Sequence, residues 1–203
     1  MGRIVHLDKV QEFIARTPVF RARDVKLIVG DDGYTSLLLH NLVRSGKVRR
    51  ITKGWYSTQE DPLQSVLAFR PAYVGLQEAL SLRDLWEQET NVVIVTTSKV
   101  RPGTRRIMGS NVIVHRIKPK YFFGFEFVKY ETLALPVSDL EKTLIDLVYF
   151  NESPGTQILR SLSKNVDSHR LGEYLRRYGK RFRRRFARAT NLGGGNGQSG
   201  RSN

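Results

Sequence analysis

The side chains that most often catalyse reactions or bind metals are sparse in this chain. It has four histidines, His6, His40, His115 and His169. They occur in separate predicted elements, and no pair has the spacing of metal ligands. Glu141 and Asp146 share one predicted helix, but a spacing of five residues places them on different faces. Neither set therefore predicts a metal centre or a pair of acid–base catalysts.

The dipeptide Gly109-Ser110 matches the short Gly-Ser signature of nucleotidyltransferases. Those enzymes also need paired acidic residues that hold magnesium, and residues 111–116 contain no carboxylate. The chain has no phosphate-binding loop of the Walker type and no cysteine. We therefore predict that the protein is not an enzyme and that it uses neither a metal nor another cofactor.

Residues 31–58 offer a different chemistry, which is hydrogen bonding to DNA. Apolar residues recur there at three- and four-residue spacing, which predicts an amphipathic helix. They are Leu38, Leu39, Leu42 and Val43. The opposite face carries Ser36, His40 and Asn41, with Arg44 at the end. The amide of Asn41 can pair with N6 and N7 of adenine, and His40 or Arg44 can address guanine or phosphate.

The sequence after this helix predicts a β-hairpin. Gly46 can take the left-handed backbone that ends helices. Val48 and Ile51 then alternate with basic residues, Thr52-Lys53-Gly54 supplies a turn, and Trp55-Tyr56 begins the return strand. A hairpin beside a reading helix is the wing of a winged helix-turn-helix, and such wings contact the sugar-phosphate backbone.

Two shorter helices are predicted upstream. The first is marked by Leu7, Val10, Phe13 and Ile14, and the second by Val25, Leu27 and Ile28. Asp31 or Asp32 would cap the third helix. In a winged helix-turn-helix the second helix crosses the DNA backbone, so Arg21 and Arg23 become candidate phosphate contacts.

The candidate DNA contacts form one set across residues 21–53. They are Arg21, Arg23, Tyr34, Thr35, Ser36, His40, Asn41, Arg44, Lys47, Arg49, Arg50 and Lys53. Two alternatives stand beside this interpretation. The helix and hairpin could be packed inside an ordinary domain, and the arginines could be solvated surface residues.

Charge and composition agree with a nucleic-acid partner. The 203 residues carry a formal net charge of +15, with a pI near 10.4, which attracts polyanions. Many basic residues crowd into residues 176–188, for which solvation and a DNA or RNA contact are equally open. No apolar run reaches the roughly 20 residues that span a bilayer, and no secretory signal is evident. We expect a soluble cytoplasmic protein without a membrane partner.

The remainder of the chain predicts a C-terminal mixed α/β (α+β) domain. Asp61-Pro62 opens one helix, and a second is predicted over residues 75–88. Strands are predicted at residues 92–97, 111–117, 123–131 and 133–137. Ser138 and Glu141 would form a capping box for the next helix. Helices follow near residues 157–163 and 169–178. The predicted domains are residues 1–58 and 59–190, the second ending in a basic helix, with residues 191–203 as a disordered Gly-rich tail.

Four segments carry a family resemblance. They are Ala72 to Leu82, Arg105-Arg106, Phe123 to Glu126 and Ser138 to Leu147. In this order they resemble the AbiEi antitoxins, and the resemblance extends from residue 1 to about residue 165. It implies an N-terminal winged helix that represses a promoter. It also implies a C-terminal α/β domain that counters a nucleotidyltransferase toxin without forming a stable complex with it.

The functional prediction is a sequence-specific double-stranded DNA-binding transcriptional regulator that acts as an autorepressor of a type IV toxin–antitoxin operon. Its partners would be an operator or promoter and a nucleotidyltransferase toxin. One alternative is a stand-alone activator that recruits a basal transcription factor through the C-terminal domain. Another is a protein or RNA interaction module. The sequence leaves the oligomeric state open.

Overall fold

The structure is a computed structural model that describes residues 2–152 and 155–190, so the predicted tail of residues 191–203 lies outside the described residues. The helices in this range are α1 (Gly2–Arg16), α2 (Ala22–Val29), α3 (Asp32–Arg44), α4 (Leu76–Ser81), α5 (Leu140–Phe150), α6 (Thr156–Ser163), α7 (Ser168–Arg176) and α8 (Lys180–Thr190), with 3-10 helices at Pro62–Phe69 and Pro119–Tyr121. The strands are β1 (Val19–Arg21), β2 (Arg49–Thr52), β3 (Trp55–Ser57), β4 (Ala72–Val74), β5 (Val92–Thr96), β6 (Gly103–Ile107), β7 (Ser110–Arg116), β8 (Phe125–Tyr130) and β9 (Leu133–Ser138). None of these helices is long and apolar enough to cross a membrane.

The N-terminal segment contains the predicted three helices and the wing. Gly30 ends α2 with a left-handed backbone, and the side chain of Asp31 begins α3 by accepting a hydrogen bond from the Tyr34 N–H at 2.6 Å. Gly46, at φ +74°, turns the chain from α3 toward β2. The hairpin is extended by β1, which was not predicted, so the wing is a three-stranded antiparallel sheet of order β1-β3-β2.

One apolar cluster orients α3. Leu38, Leu39 and Leu42 are buried against side chains of α1, β1 and α2, among them Val10 and Phe20. Two apolar residues of the predicted faces behave differently, because Leu27 is 85% exposed and Val43 is 37% exposed. The buried stripe of α3 therefore lies on the side of the helix that the sequence indicates, without Val43.

The rest of the described chain is built on a six-stranded mixed sheet of order β6-β7-β5-β4-β9-β8. The pairs β4/β9 and β5/β7 are parallel, and the other neighbours are antiparallel. The four predicted strands correspond to β5, β7, β8 and β9, whereas β4 and β6 were not predicted. The predicted fold class is confirmed: an N-terminal winged segment followed by a mixed α/β region.

The two faces of this sheet have separate cores. One face packs on the 3-10 helix Pro62–Phe69 and also receives Ile51 from the wing, so the N-terminal segment and the sheet share a core. The other face, which includes Tyr73 and Val95, packs on α4 to α8. Because neighbouring residues of a strand point to opposite faces, Tyr73 lies on the second face while Ala72 and Val74 lie on the first.

Two local predictions in this region are wrong. The helix predicted over residues 75–88 is only α4, because the chain leaves the helical conformation after Leu82. The capping box at Ser138 is absent, since Asp139 is the N-cap and accepts from the Lys142 N–H at 2.7 Å. Glu141 instead accepts from the Asp167 N–H at 2.7 Å, and thus ties the start of α7 to α5.

A charged pair lies inside the second core. Lys142 and Asp146 are both fully buried, one helical turn apart on α5, and they form an ion pair. The Tyr73 hydroxyl donates to Asp146 at 2.6 Å, and Lys142 Nζ donates to the Tyr178 hydroxyl at 3.4 Å. Burial lowers the pKa of Lys142 and raises the pKa of Asp146, and the attraction between them opposes both shifts. The network connects β4, α5 and the turn between α7 and α8.

Gly124 allows the chain to pass against this network. Its φ is +70°, and a Cβ atom at this position would lie 2.8 Å from Lys142 Cβ and 2.8 Å from Tyr174 Cε2. Its carbonyl also accepts from the Asp139 N–H at 2.9 Å, next to the start of α5. Only glycine suits both the left-handed backbone and the close approach.

We expect Lys142→Met to lower the free energy of unfolding by about 3–5 kcal/mol, because it leaves a buried Asp146 without its cation. The triple variant Lys142→Met, Asp146→Leu, Tyr73→Phe removes both charges and the hydroxyl that donates to Asp146, and should recover most of that loss. Urea unfolding measures both variants. A single variant as stable as the wild type, or a triple variant no more stable than the single one, would contradict this account.

Candidate nucleic-acid interface

A concave cleft lies where α2, α3 and the wing meet. Its volume is about 410 Å³, and all three elements contribute to its walls. Arg23 of α2, Ser36 and His40 of α3 and Arg50 of β2 line it together. These four belong to the predicted DNA-contact set, and all four are exposed. The fold thus gathers residues up to 27 positions apart onto one concave surface.

A second groove runs along the other side of α3, next to α1. It encloses about 470 Å³ and is lined by Asn41 and Arg44 of α3, by Lys47, and by Leu7 and Gln11 of α1. Asn41 and His40 therefore lie on opposite flanks of the exposed helix face. The outward ridge between the flanks includes Leu37, which is 54% exposed.

The wing holds its basic residues in two ways. Lys53 is exposed in the turn between β2 and β3, and Arg50 is exposed on β2. Arg49 forms an ion pair with Glu60 and donates to the Gly46 carbonyl at 2.8 Å. Arg49 is therefore engaged within the protein, in contrast to the prediction that it is available to phosphate. The pairing depends on the chain direction after β3, which brings Glu60 beside β2.

Arg21 and Arg23, the two predicted phosphate contacts near the start of α2, also differ in how accessible they are. The Arg21 guanidinium stacks over the Trp55 ring at 4.4 Å from the ring centroid, and its backbone N–H donates to Asp24 at 2.8 Å. Arg23 is exposed at the start of α2, where its side chain lies 3.8 Å from Asp24. Arg23 is thus the more accessible of the two, and it is the one that lines the cleft.

Thr35 is the member of the set whose placement does not suit a base contact. It is 5% exposed, and its hydroxyl donates to the Asp31 carbonyl at 2.5 Å. Its spacing from Leu38, Leu39 and Leu42 places it on the buried stripe of α3. Tyr34 is half-buried and packs on the N-terminal core. Of the predicted contacts on α3, the exposed ones are Ser36, His40, Asn41 and Arg44.

Lys26 and Tyr56 are among the cleft residues that lie outside the predicted DNA-contact set. Lys26 lies one turn after Arg23 on α2 and forms an ion pair with Asp32 at 2.7 Å. Tyr56 of β3 lines the wall beside Arg50. The three-residue spacing from Arg23 indicates that Lys26 shares its helix face. Tyr56 faces the cleft because β3 pairs with β1, and the local sequence does not indicate this pairing.

Three helices with a β-wing, an exposed third helix and a cleft lined by basic and polar residues define a protein of the winged helix-turn-helix class. Residues 8–58 match the family model described as "Transcriptional regulator, AbiEi antitoxin". The predicted resemblance to the AbiEi antitoxins is thereby confirmed for this segment, which is about a quarter of the chain. The description of that family names transcriptional regulators and antitoxins.

A solved structure has a similar fold over most of the chain. The Rv2827c protein from Mycobacterium tuberculosis aligns with a TM-score of 0.59 and 16% sequence identity, over 94% of this chain and 78% of that one. At this identity the likeness concerns the fold alone. No curated protein matches the chain.

Arg49 and Arg50 provide a matched test of the wing. We expect Arg50→Ala to weaken binding to all duplexes alike and to reduce the slope of log K against log salt by about one unit. Arg49→Ala should change the slope less, because Glu60 already pairs with that guanidinium. Fluorescence anisotropy between about 50 and 200 mM salt measures the slopes. A larger loss of slope for Arg49→Ala would contradict the assignment.

Proposed function

We propose that the protein is a sequence-specific double-stranded DNA-binding regulator that represses its own promoter, as an antitoxin-type autorepressor. The observation that carries the proposal is the cleft in which Arg23, Ser36, His40 and Arg50 converge from three elements. Such convergence is what a duplex requires, since backbone contacts set the position and base contacts give the sequence preference.

The dimensions of α3 suit the major groove. Its 13 residues span about 20 Å at 1.5 Å per residue, and a B-form major groove about 12 Å wide admits one helix. With α3 in the groove, its exposed face, from the His40 flank across to the Asn41 flank, is directed toward the base edges. The exposed start of α2, with Arg23, then lies toward one phosphate strand, and the wing with Arg50 and Lys53 lies toward the adjacent backbone.

Within this arrangement the residues have separate roles. Asn41 and His40, on opposite flanks of α3, contact base edges, and Asn41 is the candidate adenine reader. Arg44 contacts guanine or phosphate at the end of the helix. Ser36 donates or accepts near the start of the exposed face. Arg23, Lys47, Arg50 and Lys53 hold the backbone, and Arg21 contributes from the end of β1.

The domain division belongs to the same proposal: residues 1–58 bind DNA and residues 59–190 form the C-terminal domain. The functional target of the second domain is a nucleotidyltransferase toxin encoded in the same operon. The support is the family match, whose description names an antitoxin. A nucleotidyltransferase gene beside the gene for this chain, and relief of its toxicity when both are expressed, would support this target. If the full chain leaves the toxicity of that neighbour unchanged, the antitoxin role is wrong.

Selection of genomic fragments by the purified full chain at about 150 mM salt tests specificity, because this ionic strength weakens nonspecific phosphate attraction. We expect a single shared sequence, with one site at the promoter of the gene that encodes the chain. Recovered fragments without a shared sequence would contradict a sequence-specific regulator.

Asn41→Ala should cost about 1–3 kcal/mol on the selected site and little on random DNA. Gln11→Ala is the matched control, because Gln11 is an exposed polar residue of the same groove but lies on α1. Anisotropy titrations on both duplexes measure the two variants. An equal loss of affinity on random DNA would show that Asn41 does not read a base.

A further inference from the structure

The end of the described chain carries a basic surface that the winged segment does not use. Residues 176–190 contain eight basic residues and no carboxylate. They are Arg176, Arg177, Lys180, Arg181, Arg183, Arg184, Arg185 and Arg188. All eight are exposed, although α8 itself is firmly packed, because Phe186 is buried and Phe182 packs on the same core.

Three of these side chains have partners within the protein. Arg176 lies 3.8 Å from Glu173, and Arg177 stacks on the Phe123 ring at 4.1 Å from its centroid. Arg185 donates to the carbonyls of Val148 and Tyr149 at the end of α5, at 2.8 and 3.3 Å. The contacts of Arg177 and Arg185 tie the end of α7 and α8 to neighbouring elements, whereas the Arg176–Glu173 pair lies within α7.

The other five form no ion pair with any residue in the described ranges. They are Lys180, Arg181, Arg183, Arg184 and Arg188. Arg181, Arg184 and Arg188 follow one another at three- and four-residue spacing, so they form a row with roughly 5 Å between successive members along the helix axis. They line a groove of about 800 Å³ together with Tyr149 and Phe182. A row of unpaired guanidinium groups suits a chain of phosphates.

Other acidic partners fit this surface less well. A protein partner would need an apolar anchor within the patch, but the apolar side of α8 faces its own core. A membrane-surface helix inserts its apolar face into lipid, and for α8 that face is already covered. The groove has two aromatic rings, and both are engaged within the protein: Phe182 stacks on the buried Tyr178 with 4.6 Å between centroids and also contacts Tyr149 at 5.9 Å. They therefore offer little room for unpaired bases. The backbone phosphates of a duplex are the partner that best matches the row of unpaired guanidinium groups.

The position of α8 decides which duplex it can bind. The wing packs through Ile51 into the core on one face of the six-stranded sheet, whereas α8 packs into the core on the other face. The two basic surfaces therefore lie on opposite sides of the sheet. We therefore expect α8 to hold a different segment of duplex from the one that α3 of the same molecule reads.

We propose that α8 is a second DNA-binding surface that holds the phosphate backbone of another duplex segment, without sequence preference. The chain can then bridge two segments of DNA, one read by α3 and one held by α8. The bridging part of this inference rests on the proposed function, while the phosphate-binding part does not.

The first experiment measures a short random-sequence duplex by anisotropy with the full chain. The test variant is R181Q/R183Q/R184Q/R188Q, and the control K99Q/K118Q/K129Q/K164Q removes the same charge at exposed, scattered positions. The test variant should lose at least tenfold affinity, with a salt slope lower by about 3 to 4 units. The control should lose less than threefold. Equal losses in the two variants would overturn the proposal.

Folding and the nature of the polyanion are checked in the same experiment. A variant with lysine at the same four positions keeps the charge and should restore most of the salt slope, and thermal unfolding should be unchanged in all variants. Duplex RNA of the same length should bind no tighter than DNA. A tenfold preference for RNA that depends on the four arginines would overturn the assignment to DNA.

The second experiment tests bridging. Full-length protein is loaded on a bead-bound operator duplex, and a fluorescent random duplex is added after washing. The wild type should capture the free duplex, and the test variant should stay on the operator but lose the capture. Capture that is unchanged in the variant, or absent in the wild type on a loaded bead, would overturn bridging. A failure of operator recognition is distinguished in the loading step, where the wild-type protein would then bind the operator no better than a random duplex.

Discussion

The burial of one side of α3 is the constraint on which the N-terminal surface depends. Leu38, Leu39 and Leu42 pack against α1, β1 and α2, and Thr35 joins them with its hydroxyl bonded to the Asp31 carbonyl. An α-helix fixed along such a stripe has no freedom to rotate. Ser36, His40, Asn41 and Arg44 therefore point outward together. The direction of the polar face is a consequence of apolar packing on the opposite side.

The same packing extends into the rest of the chain. Ile51 is buried in the core beneath the six-stranded sheet, so the wing is held by the sheet as well as by its own strands. On the other face, the Lys142–Asp146 pair joins α5 to β4 through Tyr73 and to the turn after α7 through Tyr178. A buried pair of this kind adds little net stability, but its loss leaves an uncompensated charge. The positions of the wing and of α8 thus depend on two cores that are separated by one sheet.

The sequence predicts the elements whose periodicity is long and regular. The faces of α3 and the exposed basic side of α7 and α8 follow from three- and four-residue spacing, and the hairpin follows from Gly54 and the alternation before it. Thr35 was misassigned even though it shares the stripe of Leu38 and Leu39. Its residue type suggested a surface contact, while its spacing indicated burial. The N-cap of α5 was displaced by one residue, because Ser138 and Asp139 are both good caps.

The remaining features depend on contacts between distant residues. Strand β1 has three residues and β6 contains Arg105 and Arg106, so neither has the alternation that marks a strand. The pairing of Arg49 with Glu60 and the stacking of Arg21 on Trp55 arise only when the wing is assembled. The convergence of α2, α3 and β2 on one cleft, and the placement of α8 on the far side of the sheet, are likewise properties of the fold. The sequence could predict which residue types would contact DNA but not which of them the protein itself engages.

The central claim is that α3 lies in the major groove while the wing contacts the neighbouring backbone. Chemical protection of the selected operator by the full chain tests this most directly, since guanine N7 lies in the major groove and adenine N3 in the minor groove. We expect protection of guanine N7 at the centre of the site, flanked by protected backbone on one side. Protection of adenine N3 alone, with guanine N7 fully reactive, would contradict it.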